Sequence, residues 1–94
     1  MMKNKICTAI KKKLVISFYY KNRQRVVEPH LIGYNQNNEL TLSAWQLSGG
    51  TQESWRQFHL SKISSLAITD RNFSSSRQGY NPNDSTMSRI ECRL

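Results

Sequence analysis

Apolar and polar positions fall into short runs along this chain, and the period of each run predicts one element. From Asn4 to Lys13 the apolar residues Ile6, Ala9 and Ile10 recur three and four positions apart with lysines between them, the spacing of a short amphipathic helix. So short a helix is marginal alone, which predicts that it packs across a sheet or caps one end of a barrel. The period then changes to two. Leu14 to Tyr20 reads as a strand with Leu14, Ile16, Phe18 and Tyr20 on the core face, followed by a polar turn from Lys21 to Gln24. Arg25 to Tyr34 is a second strand, in which Pro29 marks an edge or a bulge because it cannot donate to a ladder.

Asn35 to Asn38 reverses the chain. Leu40 to Trp45 alternates as a third strand, with Leu40, Leu42 and Ala44 inward and Trp45 on the other side. After the Ser48 to Glu53 connection, Trp55 to Leu60 gives a fourth strand. Leu60 to Ile63 fits a single helical turn, and Ser65 to Thr69 a fifth strand. The pattern predicts a mainly β domain, a small five-stranded barrel of the Sm-like or SH3-like sort with a short N-terminal helix. Residues 71–85 turn to Ser, Asn, Gly and Pro and read as an extended arm, pinned by Phe73 and Tyr80, with Tyr80-Asn81-Pro82 as its turn. Met87 to Leu94 leaves two readings: a helical turn capped by Asp84 or Ser85, or a strand in which Ile90, Cys92 and Leu94 alternate. The expected organisation is a barrel with its helix over residues 1–73 and an extension over 74–94 packed on the same domain.

Composition adds charge to this picture. The 94 residues suffice for one core and carry a net charge of +8. Lys3, Lys5, Lys11, Lys12, Lys13, Lys21, Arg23 and Arg25 all precede the first acid, Glu28, so one end of the molecule is expected to be strongly positive. Such asymmetry suits polyanions, and equally a solvated surface that keeps the chain dispersed. Cys7 and Cys92 lie near opposite ends with no secretory signal before them, which predicts a cytoplasmic protein with free thiols rather than a disulfide. No Cys/His cluster has metal-ligand spacing, no apolar run is long enough to span a membrane, and no nucleophile arrangement or phosphate-cradling glycine loop is visible. Binding without catalysis, metal or cofactor is the expectation.

Three segments carry a family resemblance. Arg25-Val26-Val27-Glu28-Pro29-His30-Leu31-Ile32-Gly33-Tyr34, Leu40-Thr41-Leu42-Ser43-Ala44-Trp45 and Trp55-Arg56-Gln57-Phe58-His59-Leu60-Ser61-Lys62-Ile63 resemble, in order and spacing, the WYL domain of bacterial regulators. The chain departs from that pattern where Leu40-Thr41-Leu42 stands for the eponymous Trp-Tyr-Leu, and where Lys62 replaces an Arg. The resemblance implies an Sm-like or SH3-like barrel, no intrinsic enzymatic activity, and ligand or nucleic-acid sensing in transcription regulation. The residues before the first strand are too few for a helix-turn-helix, so a stand-alone module is expected.

Arg25 and Arg56 match the family's arginines, and each guanidinium suits either a phosphate or a structural ion pair, Arg25 with Glu28 for example. Trp45 and Tyr34 offer stacking platforms or simple packing. His30 reads as a satisfied structural residue or a phosphate donor, and Lys62 as a point charge or a solvated lysine. Lys11, Lys12, Lys13, Lys21 and Arg23 form the supporting basic patch. The partner expected is nucleic acid, with single strands among the forms considered, or a negatively charged small ligand; the other class is a regulator protein or a second copy of the chain.

Overall fold

The computed structural model describes residues 2–94 and opens with helix α1 (Met2–Lys12), which stops where Lys13 takes a left-handed conformation at φ 55°. The Lys13 N–H returns to the Ile10 carbonyl, closing the last turn. Strands follow as β1 (Leu14–Tyr20), β2 (Arg23–Asn35), β3 (Leu40–Ser48) and β4 (Ser54–His59). A 3-10 turn (Leu60–Lys62) then leads to β5 (Ser64–Asn72), and β6 (Met87–Arg93) ends the chain. All pairings are antiparallel, in the order β4-β3-β2-β1-β5, with β6 added alongside β2.

Period-two alternation delivers the expected inner face. Ile16, Phe18, Tyr20, Val27, Ile32, Leu42, Ala44 and Phe58 are buried together, and Ile6, Ala9 and Ile10 of α1 close over them. Phe18, Tyr20 and Phe58 meet edge to face, with centroids 5.0–6.4 Å apart. The Tyr20 hydroxyl accepts the His59 N–H at 3.1 Å, tying the end of β1 to the end of β4.

Strand β2 organises the rest. Its first half pairs with β1 up to Val27↔Ile16, and its second half with β6 from Leu31↔Arg93 onward. Toward β3 the pairing passes from Pro29↔Ala44 to Leu31↔Ser43, so two residues oppose one and His30 is the extra residue of a β-bulge. Pro29 therefore marks a bulge in a central strand, not an edge.

Three expectations are corrected. The sheet has six strands, because Met87–Arg93 finds a free stretch of β2 that the short Ile90, Cys92, Leu94 alternation could not reveal. Its terminal strands β4 and β5 are not hydrogen-bonded to each other, so closure into a barrel is not found. Cys7 and Cys92 form a disulfide between α1 and β6, with Cα atoms 5.9 Å apart. Their sequence separation of 85 residues concealed a spacing well suited to that bond. Among the described residues, no helix is long and apolar enough to cross a membrane.

Candidate functional site

The turn after β1, the start of β2 and strand β4 bring four cations to one end of the aromatic core. Lys21 and Asn22 both adopt left-handed backbone, which lets a two-residue hairpin join β1 to β2. Lys21 Nζ then lies 5.8 Å from the centroid of the Tyr20 ring. Arg23 Nη1 donates to the Gly49 carbonyl at 3.4 Å. The Arg25 guanidinium lies 5.8 Å from the Tyr20 ring and 6.0 Å from the Phe58 ring. Arg56, opposite Ala44 and two residues before Phe58, shares that inner face and remains exposed. Among the described residues, none of these four cations is paired with a carboxylate.

Arg25 itself is sealed in, at 5% exposure. Its Nε and Nη2 donate to the Tyr20 carbonyl at 3.2 and 3.1 Å, and its Nη1 to Gln46 Oε1 at 3.3 Å. Burial first, then the Arg56 and Arg23 charges, hold its pKa below the ordinary value. The expected Arg25–Glu28 pair does not form, because the strand pleat sends these residues to opposite faces. Gln46 is 1% exposed, and its Nε2 is the buried side-chain polar atom left without a partner among the described residues. Gly49 and Gly50 lie against this pair: a Cβ on Gly50 would come within 2.6 Å of Gln46 Nε2, and one on Gly49 within 2.9 Å of Arg25 Cδ.

The other face of the sheet is covered by the chain between β5 and β6. Glu28, buried to 4% exposure, receives Arg77 Nε and Nη2 at 2.7 and 2.9 Å. This bidentate bond raises the Arg77 pKa. The Arg77 guanidinium also sits 5.4 Å from the Trp45 ring, which meets Trp55 edge to face. The bulge turns His30 into the same cluster, where its ring packs on Phe73, Trp55 and Tyr80. His30 Nδ1 donates to the Glu28 carbonyl at 2.8 Å and Nε2 accepts the Arg77 N–H at 3.1 Å, so both nitrogens are occupied in the neutral ring. Burial lowers the His30 pKa, partly opposed by the bond to Glu28. The arm thus docks through Phe73 and Tyr80, as its sequence suggested.

The predicted site residues are consequently not one constellation. Arg25, Arg56, Lys21 and Arg23 gather at the inner end, whereas His30 and Trp45 hold the arm on the opposite face. Tyr34 lies at the far end of β2 beneath Arg89, whose guanidinium is 4.6 Å from its ring. Lys62 is exposed on the 3-10 turn. Lys11, Lys12 and Lys13 are exposed at the start of β1, roughly 20 Å from Lys21 along a strand rising about 3.3 Å per residue. The single positive end expected from the sequence is therefore two separate groups.

Sequence reasoning passed over Gln46, Glu28 as the partner of Arg77, and the Trp55–Tyr80 wall. Only the Glu28↔Trp45 and Trp45↔Trp55 registers bring them together, and register is not written in any local motif.

A family comparison matches the WYL domain over residues 2–68. The chain belongs to the WYL-domain family. No curated protein and no solved structure gives a match. The matched residues of the WYL domain contain α1, the cationic end and the inner core, while the docked arm and β6 lie beyond them. WYL domains are in general regulatory modules that sense ligands or nucleic acid. Within this one, Thr41 of the Leu40-Thr41-Leu42 segment is fully buried and donates to the Glu39 carbonyl at 2.9 Å.

Proposed function

We propose that this WYL domain binds a phosphate-bearing ligand, a single-stranded nucleic acid or a nucleotide, at the inner end where Lys21, Arg23, Arg25 and Arg56 converge, and that it regulates through this binding without catalysing a reaction. The convergence of these cations around Tyr20 and Phe58, with no carboxylate paired to them among the described residues, carries the reading. Cations without carboxylate partners suit a phosphate, which they can hold by charge-assisted hydrogen bonds, while the Tyr20 and Phe58 rings are buried core that backs them. Arg56 is the direct contact, being exposed, and buried Arg25 shapes the floor with Gln46. His30 has no role in the reading, since both its nitrogens are spent on backbone partners.

The test is binding of short single-stranded RNA and DNA at low and high salt, followed by fluorescence anisotropy. Affinity should fall steeply with salt, and Arg56→Ala should weaken it while lowering the salt slope by about one. Undetectable binding at low salt overturns the proposal. A second reading rests on the edge strand β5, where Ile68 at 40% exposure is an exposed large apolar residue, as is Tyr19 at 48% on the neighbouring β1. In that reading the edge pairs with a second copy or a regulator. Sedimentation showing a salt-indifferent dimer abolished by Ile68→Lys supports it, and a monomer at all concentrations excludes self-pairing.

A further inference from the structure

A groove of about 320 Å³ separates β4 from the docked arm, on the face away from the cationic end. Trp55 and Tyr80 line it, their rings inclined by 22° with centroids 6.3 Å apart. The Trp55 indole N–H is held by the Gln78 carbonyl at 2.9 Å, which fixes the ring. Ser43, Arg56, Gln57, Gly79, Asn81 and Asp84 complete the lining.

The polar inventory of the groove is specific. Asp84 Oδ1 accepts from the Thr86 N–H and hydroxyl at 2.9 and 2.7 Å, leaving Oδ2 as a free acceptor. Gln57 Nε2 donates to Thr86 Oγ1 at 3.2 Å, leaving its Oε1. Asn81 Oδ1 accepts the Asn83 N–H at 3.0 Å, leaving its Nδ2 as a donor beside the Ser43 hydroxyl. Strand alternation sends the Arg56 side chain to the Phe58 face, although the residue borders the groove. The Asp84 carboxylate attracts N–H donors. Aromatic walls favour a flat ring, and the volume, at the small end of ligand pockets, suits a single ring system.

We infer that this groove is a nucleobase site, recognising through Asp84 and Gln57 a base whose edge presents N–H donors, guanine above all. Guanine offers two such donors on its Watson–Crick edge and acceptors at O6 and N7, and the groove supplies both kinds of partner, the Asp84 and Gln57 oxygens as acceptors and Asn81 and Ser43 as donors. The inference stands on the groove and does not require the cationic end to bind anything.

Titration of the full chain with guanosine, which carries no phosphate, tests it through tryptophan emission and the amide resonances of Asn81 and Asp84. Saturable binding is expected, equal at low and high salt, and stronger than that of uridine or glucose. Asp84→Asn keeps the Oδ1 that caps the Thr86 turn and should weaken guanosine about 10-fold, the loss appropriate to a charge-assisted hydrogen bond. Gln57→Ala, on an exposed strand position, should weaken it in the same direction. Absence of guanosine binding, equal binding of uridine or glucose, or full affinity in a folded Asp84→Asn chain overturns the inference. Guanosine binding without oligonucleotide binding removes the proposed function alone, and oligonucleotide binding without guanosine removes this site alone.

Discussion

Breaking the Cys7–Cys92 bond should cost this domain a large part of its stability. The two cysteines are separated by 85 residues, so the bond restrains nearly the whole unfolded chain. Loop-closure entropy for a loop of that length gives about 15 cal/mol/K, or about 4.6 kcal/mol at 25 °C. Typical domains are stable by only about 5–15 kcal/mol, so loss of the bond brings a 94-residue chain close to the threshold. An unfolding entropy of about 2.1 cal/mol/K per residue makes 1 kcal/mol worth about 5 °C here, and the full effect roughly 20 °C of melting temperature. Residual structure in the denatured chain reduces this value and does not change its sign.

The assay is thermal unfolding followed by circular dichroism, comparing the oxidised protein, the protein held in a dithiol reductant, and Cys7→Ser with Cys92→Ser. Reduced and doubly substituted proteins should melt together, well below the oxidised form. Lys3 and Glu91, 3.0 Å apart, join the same two elements, but an exposed pair contributes at most about 1 kcal/mol and cannot replace the bond. Two titratable thiols in the folded, unreduced protein, or melting temperatures within a few degrees across the set, would refute the reasoning.

Arg25→Ala should destabilise the fold by about 2–4 kcal/mol, because it leaves the Tyr20 carbonyl and Gln46 without their donor, while Arg56→Ala should leave denaturant midpoints nearly unchanged. Arg77→Ala should strand the buried Glu28 carboxylate and loosen the arm, at a cost of about 1–3 kcal/mol, seen as faster proteolysis between residues 73 and 86. Burial depresses the His30 pKa, so the unfolded chain binds the proton more readily than the native one. Stability is then complete above the unfolded value near 6.5 and falls as pH drops below it, by at most about 1.4 kcal/mol per pH unit, and His30→Gln should flatten that slope.

Much of this structure was legible because period and composition agree. Leu14 to Tyr20 and Leu40 to Trp45 alternate cleanly, and Ile6, Ala9 and Ile10 mark the helix face that closes the core. Local patterns of this kind encode faces but not partners. The Cys7–Cys92 bond, the Glu28–Arg77 pair and the β2–β6 ladder join residues 85, 49 and about 60 positions apart, and no local signal specifies such contacts. For Arg25 the sequence left a phosphate contact and a structural role both open, for a related reason. A strand arginine looks exposed until pairing places the Tyr20 carbonyl of β1 and the Gln46 side chain of β3 against its guanidinium. Trp45 and His30 resembled ligand contacts because the arm that covers them is nearly featureless in sequence, apart from Phe73 and Tyr80.

The bulge at His30 explains how one strand serves two unrelated surfaces. Before it, Arg25 and Val27 face the inner core, and Glu28 faces outward to Arg77. With no extra residue, strict alternation would put His30 and Ile32 on one face, exposing Ile32 or burying the imidazole among aliphatic side chains without polar partners. The inserted residue lets Ile32 return to the core beside Leu42 while His30 keeps two hydrogen bonds under the arm. Polar satisfaction and core continuity are thus achieved within three residues. The docked arm occupies only the outer face, so it leaves Lys21, Arg23 and Arg56 uncovered. The cationic residues lie inside the matched WYL residues, whereas the docked arm and β6 lie beyond them.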